Sequence, residues 1–106
     1  MMEGSKVQSA KSVLRVKGEV VRRSVAGEIL LIPIRGRVAD LQRIFAVDPV
    51  GDFVWQRLDG MASLREIAEA LCGAFDVDPE AAEADVCAFA GELIGAGLVE
   101  PVSPHA

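Results

Sequence analysis

From Phe45 to Val99 the chain carries one short β-rich run and three helix-forming segments in close succession, each segment opened by a capping residue. Asp48 precedes Pro49, the expected pairing of an N-cap with proline at the first helical position. The first helix is predicted over about Pro49 to Leu58, with Val50, Phe53, Val54 and Leu58 as its apolar stripe and Asp59-Gly60 as its stop. Ser63 with Glu66 three residues on forms a capping box, and Leu64, Ile67, Ala68, Leu71, Cys72 and Phe75 follow at helical spacing. A third helix begins after Asp78-Pro79. Glu80 and Glu83 lie near its positive end, its stripe is Val86, Phe89, Ala90, Leu93 and Ile94, and Leu98-Val99 folds back on the core. A strand and three helices in so few residues leave no room for an enclosed enzyme pocket. They do leave a strand edge beside a helix, where a peptide could bind.

Upstream, E-V-V-R-R-S-V, Ala26-Gly27 and E-I-L-L-I-P-I read as two strands about a tight turn. The second run is apolar on both faces, as in a central strand or one paired within a dimer. It is predicted to fray or bend at Pro33, which cannot donate to a ladder. R-I-F-A-V forms a third strand, with Phe45 and Val47 on one face and Ile44 and Ala46 on the other. Residues 1–15 read as a flexible arm and 101–106 as a flexible tail, around one domain over 16–100.

With 106 residues there is one domain and an adequate core. No apolar run approaches the roughly 20 residues of a membrane helix, and the N-terminus lacks the apolar centre of a secretory signal, so a cytoplasmic location is expected. The net charge of −5 hides an asymmetry: residues 1–48 carry nine Lys/Arg against five Asp/Glu, while residues 49–106 carry two against eleven. The helical half therefore repels phosphates. The third helix, from Pro79 to Leu98, contains no Lys, Arg, Asn or Gln, which argues against base readout in a groove of DNA.

No catalytic group, metal site or cofactor is expected. Cys72 and Cys87 lack metal-binding spacing, and Cys72, on an apolar stripe, reads as a buried thiol. His105 stands alone in the tail with no nucleophile to serve. The D-V-D-P-E segment lacks the glycine and terminal glutamate of a calcium loop, and capping accounts for its carboxylates.

In order, F-A-V-D-P-V-G-D-F-V-W-Q-R-L-D-G, S-L-R-E-I-A-E-A-L and D-V-C-A-F-A-G-E-L-I-G-A-G-L-V resemble the PqqD-like family over roughly residues 19–100. Its members act as RiPP recognition elements, which bind the leader peptides of ribosomally made, modified peptides. The chain departs from the family in having Asp48 where asparagine is usual. Its Ile34–Gln42 segment is also longer and more basic than in members serving PQQ synthesis.

The resemblance implies an α+β, winged-helix-like fold: a three-stranded antiparallel sheet followed by a three-helix bundle. It implies a non-enzymatic adaptor that takes up a precursor (leader) peptide as an added strand and presents it to a modifying enzyme, a radical SAM enzyme being the expected partner. By the same resemblance the peptide meets Arg43, Ile44, Phe45, Ala46 and Val47 on the strand and Asp85, Ala88, Phe89 and Glu92 on the third helix. Residue chemistry leaves other roles open: Phe89 also fits the core stripe, and Arg43 could pair with an acidic leader residue or discourage edge-to-edge aggregation. The alternative function is a winged-helix DNA-binding or protein-interaction regulator using the basic strand region. No nucleic-acid or membrane partner is expected, and the chain is expected as a monomer or a strand-swapped dimer.

Overall fold

The computed structural model of the protein describes residues 10–39 and 42–102. Strands β2 (Glu19–Val25) and β3 (Glu28–Arg35) form a hairpin through Ala26 (φ 52°) and Gly27 (φ 85°). Two left-handed residues in a two-residue loop are the geometry whose twist matches the flanking strands. Such a loop makes Val25 and Glu28 a hydrogen-bonded pair. By alternation, the odd-numbered residues of β3 then aim their N–H groups away from β2. On that far side β3 pairs with β5 (Phe45–Val47) through Ile29–Leu31 and with the two-residue β4 (Val38–Ala39) through Ile34–Arg35. Pro33 falls between the two pairings, so its missing donor removes no ladder bond. The strand continues through it without the expected fraying, and Pro33 is buried.

A second sheet, ordered β6-β1-β7, joins β1 (Val13–Val16), β6 (Asp59–Ser63) and β7 (Val99–Pro101). It corrects three expectations. Residues 10–15 belong to the fold: Leu14 is fully buried, and the Ser12 and Ala10 carbonyls accept from the N–H groups of Leu64 and Arg65. Asp59-Gly60 opens a strand where a helix stop was predicted. Pro101 pairs with Leu14, and the Val102 N–H donates to the Val13 carbonyl, so the expected tail begins later than residue 101. The remainder of the expected arm and tail lies outside the described residues.

The helices are α1 (Pro49–Trp55), shorter than predicted, α2 (Leu64–Phe75) and α3 (Pro79–Gly95). Their predicted caps are in place: the side chains of Asp48, Ser63 and Asp78 accept from the N–H groups of Gly51, Glu66 and Glu80. At α2 the first three N–H groups, orphans in any helix, are all satisfied, two by the N-terminal segment and one by Ser63. A single core joins Leu14, Leu31, Val54, Ile67, Leu71, Val86, Leu93 and Leu98. Cys72, expected to be buried, is only half-buried, whereas Cys87 is buried. The protein is thus α+β with antiparallel sheets and three helices. The sheet of β2 to β5 has four strands where three were expected, and β6 and β7 interleave with the helices, so the chain does not run as a sheet followed by a separate bundle.

Candidate functional site: a strand edge beside an open groove

On β5, Phe45 and Val47 turn their backbone groups toward β3, opposite Leu31 and Ile29. Alternation leaves the N–H and C=O of Ala46 pointing outward, where no described strand pairs with them. Beside this edge opens a groove of about 370 Å³. Phe45 and Val47 line it from β5, Val50, Gly51 and Val54 from α1, Leu71 from α2, and Val86 and Phe89 from α3. Asp48, Asp85 and Glu92 add carboxylates to its lining.

Close packing sets the groove's shape. The rings of Phe45 and Phe89 meet edge to face with centroids 6.1 Å apart, joining β5 to α3. A Cβ on Gly51 would lie 3.2 Å from both Phe89 Cζ and Val47 Cβ, so only glycine lets α1 approach this closely without displacing a neighbour. The other side of α1 is held by Asp52, a charged residue buried at 8% exposure. Its carboxylate accepts from Arg22 Nε and, at 2.7 Å, from Arg22 Nη2, while Gln56 Nε2 donates to Oδ2 at 2.8 Å. The Arg22 hydrogen bonds, above all, hold the Asp52 carboxyl below the usual range against the opposing effect of burial. This brace ties α1 to β2 across the sheet.

Six of the nine residues anticipated for peptide contact line the groove: Phe45, Ala46, Val47, Asp85, Phe89 and Glu92. Arg43 and Ile44 lie just before β5, with Ile44 39% exposed, and Ala88 is exposed on α3; none of these three is part of the lining. The contributions of α1 and α2 were missed. Val50, Val54, Leu71 and Val86 read only as core stripes, and a close approach at Gly51 has no local signature. Burial, reinforced by the Glu83 carboxylate, pushes the Cys87 thiol up, away from the thiolate a nucleophile needs. Among the described residues no helix is long and apolar enough to cross a membrane.

An antiparallel α+β domain with an outward-facing strand edge and an adjoining groove is a peptide-docking architecture. The family model for coenzyme PQQ synthesis protein D (PqqD) matches residues 28–99, and the chain belongs to that family. No curated protein matches it. Among solved structures, TbiB1 in complex with the TbiA(beta) leader peptide is 25% identical, with a TM-score of 0.64 over 87% of this chain and 98% of that one. A lasso peptide synthetase B1 complexed with the leader peptide is 21% identical, with a TM-score of 0.66 over 84% and 99%. The PqqD truncation of Methylobacterium extorquens PqqCD, described as a functional stand-alone RiPP recognition element, is 24% identical, with a TM-score of 0.68 over 87% and 93%. These last two share the fold.

Proposed function

We propose that this protein is a RiPP recognition element: a non-catalytic adaptor that captures the leader of a ribosomal precursor peptide and presents it to a modifying enzyme. The observation carrying this reading is the outward-facing backbone of Ala46 directly beside the groove. A leader would add to β5 as a further strand, backbone pairing supplying affinity and the groove supplying selection. Family membership and the likeness to two leader-bound proteins support the same reading. On it, Phe45, Ala46, Val47, Asp85, Phe89 and Glu92 contact the leader directly, while Arg43, Ile44 and Ala88 flank it. The enzyme served is expected to be a radical SAM enzyme, the partner the family resemblance implies.

The test is to titrate the isotope-labelled protein with precursor peptides encoded beside its gene. Saturable amide shifts concentrated at 45–48 and 85–92 are expected. Shifts confined to the basic strand residues, or produced by duplex DNA in place of peptide, would overturn the reading.

A further inference from the structure

If β5 accepts a strand, the register of the sheet dictates which side chains of that strand enter the groove. In an antiparallel addition, the incoming residue that exchanges hydrogen bonds with Ala46 projects its side chain on Ala46's face, away from the helices. Its two neighbours stand opposite Phe45 and Val47 and project toward the groove. The groove therefore receives two side chains separated by one residue. The walls that meet them, Val50, Val54, Leu71 and Val86 with the two phenylalanines, are apolar.

The carboxylates around those walls are not equivalent. Asp48 is occupied in capping, its Oδ1 accepting from the Gly51 N–H at 2.7 Å. Asp85 and Glu92 are exposed, and among the described residues neither is paired with a cation, although Glu83 on the same helix is bound to Arg65 at 3.2 Å. They stand seven residues apart, two helical turns or about 10 Å, with Phe89 between them. Among the described residues no Lys or Arg lines the groove. Two unpaired negative charges thus bracket an apolar floor.

We infer that the segment selected here carries two apolar side chains one residue apart with Lys or Arg on either side, and that Asp85 and Glu92 are its specificity-determining residues. The inference rests on the leader-binding reading of the groove. A Lys or Arg can lay its alkyl stem along Phe89 while its head meets a carboxylate. An acidic segment of the same shape would bring like charges together and be rejected, so the carboxylates discriminate by repulsion as well as attraction.

The probes are synthetic peptides sharing a Leu-Ser-Phe centre, one flanked by Lys, one by Glu, and one Lys-flanked with Ser replacing Leu and Phe. Affinity is read by fluorescence anisotropy at fixed ionic strength, and the gene-adjacent precursor is titrated alongside. The Lys-flanked peptide should bind at least about tenfold more tightly than the Glu-flanked one. The preference should invert in an Asp85→Lys/Glu92→Lys variant and vanish in Asp85→Asn/Glu92→Gln; all four substitutions lie at exposed positions. The Ser-substituted peptide should bind weakest. Equal binding of Lys- and Glu-flanked peptides would overturn this inference while leaving the leader site intact. So would a gene-adjacent precursor that binds here through an acidic segment. Failure of every peptide, the precursor included, would overturn both readings.

Discussion

The two sheets end differently, and the contrast singles out β5. In the β6-β1-β7 sheet both outer strands are blunted. At β6 a register irregularity interrupts pairing, and the Asp59 carboxylate accepts from the N–H groups of Met61 and Ala62, which holds its pKa down. At β7 the Val102 bond to Val13 sets the alternation so that Pro101, lacking an N–H, occupies an outward position. In the larger sheet, β2 sets Glu19, Arg22 and Arg23 along its length and β4 is two residues long, two further ways to discourage pairing. β5 has none of these devices in its three residues. It offers Ala46 beside a groove. On the proposed reading, the one edge left without such a device, beside a cleft, is the edge that takes the leader.

This contrast can be broken from either side. The largest effect should come from the guarded sheet: Leu14→Ala removes a fully buried side chain and should lower unfolding free energy by about 3 kcal/mol, read from denaturant midpoints. A loose N-terminal arm would show almost no change. Next, Ala46→Pro removes the outward N–H while leaving the β3 pairings of Phe45 and Val47 in place. Peptide affinity should fall at least about tenfold, with the midpoint nearly unchanged.

The brace behind the groove should respond to pH. The folded-state pKa of Asp52 is depressed, so its stabilising effect is present above the ordinary carboxylate pKa and is lost as pH falls through the folded value. Asp52→Asn should cost about 1–2 kcal/mol at neutral pH, solvent around the partly exposed Arg22 keeping the pair's contribution modest, and the gap from the parent should close in acid. Thermal melts from pH 7 to pH 2 would show this; a gap independent of pH would remove the ion pair from the account. The smallest change sharpens the hairpin. Ala26 occupies left-handed space that asparagine tolerates better, so Ala26→Asn should stabilise by about 0.5 kcal/mol, read in the same melts.

What the sequence revealed follows the range of the interactions involved. Caps and turns are local, so Asp48, Ser63 with Glu66, Asp78 and the Ala26-Gly27 turn were readable one segment at a time. The β6-β1-β7 sheet was not, because each strand is short and its partners are distant in sequence: Val13 with Ser63, Leu14 with Pro101. Asp59-Gly60 carries the composition of a helix stop, and only pairing with β1 makes it a strand. On α3 the expected stripe included Phe89 and Ile94, whereas the buried set runs Ala82, Val86, Cys87, Ala90 and Leu93. That rotation buries Cys87 and leaves Phe89 at the groove, a choice that depends on where β5 sits. Of the groove's lining, the β5 residues and Asp85, Phe89 and Glu92 of α3 were anticipated through the family resemblance, and the α1 and α2 walls, which exist only through packing, were not.

The central claim is that a peptide adds to β5 through Ala46, and amide hydrogen exchange at single-residue resolution addresses it most directly. In the free protein the N–H groups of Phe45 and Val47 should be protected by β3, while that of Ala46 exchanges rapidly. With the precursor peptide bound, Ala46 should become protected as well, alongside slowed exchange in the peptide itself. An Ala46 amide that stays fast while protection appears along the outer edge of β2, at Val20, Arg22 and Ser24, would contradict the account.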